Sequence, residues 1–563
     1  MVLGIPPGLF LIVGALLVPL FNGRLRQVYM LCLPLSGLWC LIDGPSGNFY
    51  AFTFFTYEII PVRIDRLSLI FGYIFHIAAT ISVIYAWHNK NTVEQMAGLA
   101  YAGSGIAALF AGDLITLFVY WEGMAVTSVF LIWARRTESA YRAGMRYLII
   151  QVGSGVLLLS GAILMAQQTG SIAFDKMTLG SLATWLILIS FGIKCAFPFL
   201  HNWLQDAYPE ATVTGTVFLS AFTTKCAVYA LARGFPGTEL LIYVGAIMTV
   251  FPIFFAVIEN DLRKVLSYSL NNQLGFMVCG IGIGTTLALN GAVAHAFVHI
   301  IYKALLFMSM GAVLYRVGTI KASELGGLYK SMPFTAVFCI IGAASISAFP
   351  LFSGFIAKSL TLTAVAQGHY TIIWLMLIFA SAGVMEHSGI KIPFLSFFGH
   401  DSGKRCKEAP LNMLIAMGIA ATLCIALGVY SPWLYSLLPY PVEYVPYTTS
   451  HVVGQLQLLM FAALAFAVLV RYKIYPQELR AVNIDFDITY RKWLPALYKW
   501  MINATRDGWQ SILQDLNRGV HRVIAYMFRH HGPEGILART WPTGSMALWV
   551  AVLLATFLLI YYV

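Results

Sequence analysis

Apolar runs recur along the whole chain, each of about 20 residues and so long enough to cross a hydrocarbon core as a helix. Their centres lie near residues 12, 35, 76, 103, 124, 157, 190, 224, 248, 272, 302, 344, 380, 420, 462 and 553. This pattern predicts an all-α polytopic membrane protein with about 16 transmembrane helices. The opening "MVLGIPPGLFLIVGALLVPLF" lacks a basic n-region and a small-residue cleavage site, so it reads as the first span. Two stretches depart from the pattern. "NFYAFTFFTYEIIPVRIDRLS", after the second run, alternates and is rich in aromatics, which predicts a short extracytoplasmic hairpin. "TRDGWQSILQDLNRGVHRVIAYMF", before the last run, sets Trp509, Ile512, Leu513, Leu516, Val520, Val523, Ile524 and Met527 at helical spacing. Arg506, Asp507, Gln514, Asp515, Arg518 and Arg522 take its other face. It predicts an amphipathic helix on the cytoplasmic side that lies in the membrane surface or along a neighbouring subunit.

Composition narrows the class. Hydrophobic residues make up 59% of the 563 and charged residues only 10%, where a soluble domain carries about 25% charged residues. The net charge of +11 resides in alternate loops: Arg24 and Arg26; Lys90; Arg135, Arg136, Arg142 and Arg146; Arg263 and Lys264; Arg316, Lys321 and Lys330; Lys404, Arg405 and Lys407. By the positive-inside rule these loops are cytoplasmic and both termini lie outside, as in a bacterial inner membrane. That placement accounts for the charge without a nucleic-acid partner. The eight cysteines are scattered through apolar runs with no CxxC, and the two histidines of "RHHGPE" have no partner ligands, so no metal site is expected. There is no Walker loop and no GxGxxG after a strand, so no cofactor is expected and any redox chemistry sits on other chains.

Ionisable residues inside the runs carry the chemistry. Glu122, Lys194, Lys225 and Lys358 each stand in a different span. His295, His299 and Lys303 recur every four residues in "HAFVHIIYKALLF" and share one helix face. "MEHSGIK" adds Glu386, His387 and Lys391, of which Lys391 lies at a span end and is open to a snorkelling role. A charge at the helix centre costs about 2.5–3.5 kcal/mol, and buried ion pairs roughly break even against apolar packing. A static network therefore serves stability poorly, and the set reads as a proton or ion route. Histidine exchanges protons near neutrality, and four-residue spacing sets neighbours about 6 Å apart, within reach of one bridging water. "ISFGIKCAFPF" and "SAFPLFSGFIAK" each combine Phe-Pro, Gly and one lysine. Pro198, Pro350 and Gly354 are expected to interrupt two helices at corresponding places, the mark of an inverted-repeat transporter.

"FVYWEGMAVTSVFLI", "IKCAFPFLHNWLQDAYPEAT", "DLRKVLSYSLNNQLGF", "HAFVHIIYKALLFMSMGAV" and "FPLFSGFIAKS" resemble, in order, the signature segments of antiporter-like membrane subunits. That family includes proton-pumping subunits of respiratory complex I, large subunits of Mrp-type sodium/proton antiporters and subunits of membrane-bound hydrogenases. The resemblance implies two inverted five-helix repeats with broken helices seven and twelve. It divides the chain into 1–94, the repeats 95–235 and 236–400, helices 14 and 15 over 401–475, the amphipathic segment 476–541 and a last span 542–563. It implies that Glu122 pairs with Lys194, that Lys225 connects the halves, that His295, His299 and Lys303 form the central row, and that Lys358 passes the proton outward. The late amphipathic segment resembles a short version of the family's lateral helix. Lysine in the eighth span resembles the Mrp type, which implies a proton-translocating subunit of a multisubunit cation/proton antiporter with integral membrane partners, and leaves Na+ open as the counter-ion. The family also leaves open a pump module of a complex I-like oxidoreductase or hydrogenase, and an energising subunit for inorganic-carbon uptake.

Overall fold

The computed structural model describes residues 6–42, 44–475, 483–533, 535–539 and 542–562. Residues 1–5 of the first run, 476–482 of the expected amphipathic segment and Glu534 of "RHHGPE" lie outside the described residues. Two compact units divide the chain, one through Asn483 and one from Ile484 onward.

The larger unit opens with α1 (Pro7–Leu17), α2 (Gly23–Ile42), α3 (Arg66–Tyr85), α4 (Thr92–Phe110), α5 (Leu114–Trp133), α6 (Glu138–Thr169) and α7 (Leu182–Lys194). The short α8 (Asn202–Ala207) and α9 (Gly215–Ala221) lead into α10 (Thr223–Gly234). Its second half holds α11 (Leu240–Ile258), α12 (Leu262–Ile283), α13 (Thr286–Val317), α14 (Pro333–Ile346), α15 (Ser353–Gln367) and α16 (Thr371–Val384). After α17 (Lys391–Pro393) come α18 (Leu411–Val429), α19 (Pro432–Tyr435) and α20 (Thr449–Arg471). The smaller unit consists of α21 (Leu494–His531) and α22 (Thr543–Tyr562). Every expected centre falls inside a helix. Among the described residues, 11 helical stretches are long and apolar enough to cross a membrane and three shorter ones are apolar. The two remaining centres fall in α4 and α12, whose Gly, Ser, Asn and Gln dilute the apolar average.

The expected hairpin is present as two nested pairs. β1 (Gly47–Phe49) pairs antiparallel with β4 (Val62–Ile64), and β2 (Phe52–Phe54) with β3 (Tyr57–Ile59). The chain leaves it through Asp65, which caps α3 by accepting the Ser68 amide. The amphipathic helix differs from the expectation. It is α21, 38 residues long, and begins well before the stretch that the sequence pattern marks. Its early turns carry bulky apolar residues on more than one face, which hides their periodicity.

Two halves of the larger unit repeat each other. Asp113 caps α5 through the amides of Ile115 and Thr116, and Asp261 caps α12 through those of Arg263 and Lys264. Leu114 donates its amide to Ile172 and Phe174 donates to Gly112; Leu262 donates to Ile320 and Ala322 to Asn260. Both α6 and α13 run 32 residues and stop at a left-handed glycine, Gly170 and Gly318. Each half then breaks a helix after a short first segment, α7 or α14. The matching features fall within α4 to α10 in the first half and within α11 to α16 in the second.

Candidate functional site

The two breaks match bond for bond. In the first, Ala196 and Phe199 take positive φ, the Ala196 amide donates to Ile193, and the Phe197 amide reaches back to Gly192. In the second, Ala348 and Leu351 take positive φ, with the Ala348 amide on Ser345 and that of Phe349 on Ala344. Pro198 and Pro350 sit at the same point in each, lacking the N–H that would continue the helix. Gly354 differs from the expectation: it lies in the first turn of α15 rather than in the break. A Cβ there would overlap the Ser345 carbonyl, so the glycine lets α15 start hard against the end of α14.

Lys194 ends α7, fully buried, and donates to the Trp121 carbonyl at 2.5 Å with its amine 4.5 Å from that indole's centroid. Trp121 is next to Glu122 in α5, so the expected partners adjoin. No ion pair joins them among the described residues, however; the amine takes the backbone oxygen instead. Glu122 Oε1 is buried with no hydrogen-bond partner and packs against Gly155 of α6. The Trp121 indole donates to Ser154 Oγ at 2.9 Å, and Ser154 and Ser190 tie α6 to α7.

Lys225 lies on α10, which packs against α7, α12 and α13 and so bridges the halves. Its amine donates to the Ser220 carbonyl at 2.5 Å, an oxygen freed where the chain changes direction between α9 and α10. His295, His299 and Lys303 line one face of α13, all fully buried, with the two imidazoles 6.1 Å apart. His295 Nε2 meets Tyr302 Oη at 3.0 Å and Gln273 Oε1 at 3.2 Å. Both His299 nitrogens and Lys303 Nζ have no protein partner. Buried polar atoms are nearly always hydrogen-bonded, to protein or to ordered water, so these mark the places where water would join the row. Lys358, on α15, donates to the Ile346 carbonyl at the broken end of α14, 2.8 Å away.

The third expected group divides. His387 is buried in a π-turn over Met385–Ile390, and neighbouring Ser388 meets Ser269 of α12 at 2.7 Å. Lys391 instead closes the end of α11 by donating to the carbonyls of Val257 at 2.5 Å and Glu259 at 3.0 Å. That is a helix-terminus role, favourable for a cation. Sequence reasoning missed Trp121, Gly155, Gln273 and Tyr302. The uncharged polar run Ser267 to Gln273 inside one helix is the signal that marks Gln273.

At the N-terminus of α3, before its span begins, Asp65 pairs with Arg233 of α10 at 2.8 Å. Burial alone raises its pKa, but Arg233, the Ser68 amide and Arg63 together bring the carboxyl below its ordinary value.

Residues 111–385 match the family described as NADH:quinone oxidoreductase/Mrp antiporter, TM. Component B of hydrogenase-4 from Escherichia coli (strain K12) is 26% identical over 428 residues, 68% of this chain and 64% of that protein. Subunit A1 of a Na(+)/H(+) antiporter from Staphylococcus aureus (strain bovine RF122 / ET3-1) is 27% identical over 500 residues, 80% of this chain and 61% of that protein. The chain thus spans under two thirds of the length of these curated relatives. Among solved structures, the Mrp complex from Dietzia sp. DQ12-45-1b contains a chain of like fold, with TM-score 0.69 and 21% identity over 78% of this chain and 96% of that one. A chain of the membrane-bound sulfane sulfur reductase, an archaeal respiratory membrane complex, gives TM-score 0.71 and 21% identity over 98% of this chain and 99% of that one.

Proposed function

From the premise that residues 111–385 are a membrane module of the NADH:quinone oxidoreductase/Mrp antiporter family, we propose that this chain is the proton-translocating subunit of a multisubunit Mrp-like cation/proton antiporter. One observation carries the reading. Lys194, Lys225, His295, His299, Lys303 and Lys358 bury a series of amines and imidazoles inside the larger unit, and three of the four amines rest on a backbone carbonyl rather than a counter-charge. An amine held by a neutral oxygen gives up its proton without breaking an ion pair, so each can receive and hand on in turn. Glu122 biases the first member: it stabilises the charge on Lys194 when it swings toward the amine and withdraws that support when it retreats. The repeats then occupy 95–235 and 236–400, the basic loops face the cytoplasm of a bacterial cell, and other integral membrane subunits complete the assembly.

Proton flux into proteoliposomes of the purified assembly tests this. Glu122→Gln keeps the shape and removes the charge, and flux should fall strongly at equal subunit content. Wild-type flux in that variant would refute the role of the pair.

A second reading, a redox-driven pump module, draws support from the fold likeness over 98% of the chain to a respiratory complex subunit, which takes in most of the smaller unit. Affinity purification from the native membrane separates the two. Recovery of cofactor-bearing subunits favours the pump, and recovery of small membrane subunits alone favours the antiporter.

A further inference from the structure

We propose that His451 and Gln455 of α20, with Ser359 of α15, form the outlet through which protons leave Lys358 for the outer water. The proposal rests on the proton-translocation reading and adds an exit built from a helix beyond the family-matched segment, which ends at residue 385.

The second break leaves two consecutive carbonyls near one another. Ile346 O accepts from Lys358 at 2.8 Å, and Ser347 O accepts from Gln455 Nε2 at 3.4 Å. Gln455 is buried, and His451 stands one turn away on the same face of α20. The His451 ring stacks on Phe355, 4.5 Å between centroids, and its Nδ1 meets the Pro446 carbonyl at 2.7 Å. Since a carbonyl only accepts, Nδ1 carries the hydrogen in the neutral ring and Nε2 is left to accept one. Both residues line a cavity of about 570 Å³ between α15, α16 and α20, together with Ser359, Thr363, Gln367 and Gln457. Ser359 follows Lys358 in the chain.

A groove facing lipid tails is lined by apolar side chains, because polar groups in hydrocarbon are costly. Leu362, Ala366, Trp374, Ile378, Leu458 and Phe461 also line this cavity. But three glutamines, a histidine and the hydroxyls of Ser359, Thr363 and Ser450 are more polar groups than a lipid-facing groove carries, and they fit water. In the step proposed, a Lys358 N–H bond breaks and cavity water carries the proton to His451 Nε2, where an N–H bond forms. The imidazolium then releases one proton to the outer water and returns to the neutral ring, and Lys358 is left as the free amine. Charge and protons balance with no other reactant.

Two measurements on the intact assembly test this. In proteoliposomes, a positioned proton carrier is worth about 100-fold or more and water recovers part of that, so His451→Ala should lower flux about tenfold. In a background with the native cysteines replaced, Thr363→Cys should react with a membrane-impermeant thiol reagent from the outer side. Leu375→Cys, on the exposed side of α16, should stay unreactive. Wild-type flux in His451→Ala, or an unreactive Thr363→Cys, overturns the outlet; the labelling arm holds even where His451→Ala assembles poorly. Lys358→Ala separates the two claims. If it stops flux while His451→Ala does not, only the outlet is wrong, and if it leaves flux intact the relay itself is wrong.

Discussion

A carboxylate rests against α6 only because residue 155 has no side chain. Gly155→Ala would place a methyl where Glu122 Oε1 now lies, so the acid loses its place away from Lys194 and proton flux should drop. Shortening the acid by one methylene, as Glu122→Asp in the Gly155→Ala protein, should restore part of that flux, whereas a mere packing defect would leave the double variant no better than Gly155→Ala alone. The row on α13 makes a second forecast. Lys303→Ala removes the one amine of the row, and flux should nearly vanish. His299→Ala should cost less, because water can fill a vacated site that offers it two or more polar partners; comparing the two at equal subunit content decides it. Lys194, Lys225 and the α13 row were legible in the sequence because a charge inside an apolar run has few alternative readings. Gly155 was not, since "QVGSGV" reads as small-residue packing, nor was the Trp121 acceptor, because a backbone oxygen leaves no trace in side-chain patterns.

At the scale of elements, the breaks show how local chemistry makes room for function. Each places two non-glycine residues at positive φ, a strain of about 1–3 kcal/mol apiece, and each frees carbonyls that a donor then takes up. In the first break the Trp203 indole donates to Ile193 O at 2.8 Å, a neutral donor, where the second uses the Lys358 amine. The prolines made both breaks readable, but the positive φ values and the donors depend on neighbours far along the chain. The α3 cap gives an acid-stability forecast. Asp65 has its pKa lowered in the folded state, so it contributes stability above the ordinary aspartate value of about 3.9 that is lost as pH falls through the lower folded value. Asp65→Asn keeps a competent cap but not the charge paired with Arg233. The variant should melt lower than the parent at neutral pH, and the difference should shrink once pH falls below the ordinary aspartate value of about 3.9, which thermal melts of the solubilised protein across that range would show.

Across the whole molecule, the halves are related by an offset that is the same at the caps and long helices and four residues greater at the breaks, while their side chains diverge. Tyr147, Gln151 and Gly155 on α6 occupy the places that His295, His299 and Lys303 hold on α13. That divergence is why the repeat shows in caps and helix lengths but not in the sequence itself, where only the two Phe-Pro breaks betray it. It is also why one half carries the titratable row and the other a notch for a carboxylate. Fold class was legible throughout and the helix count roughly so, because a bilayer imposes length on every crossing. The lysines held at the two breaks have one more consequence. They sit within the slab across which a cell maintains its voltage, and a full elementary charge crossing that slab feels about 2.3 kcal/mol per 100 mV. An ammonium that shifts through a quarter of the depth is therefore biased by about 0.6 kcal/mol per 100 mV. On the proton-translocation reading, the membrane voltage would act on the amines directly, before any proton reaches bulk water.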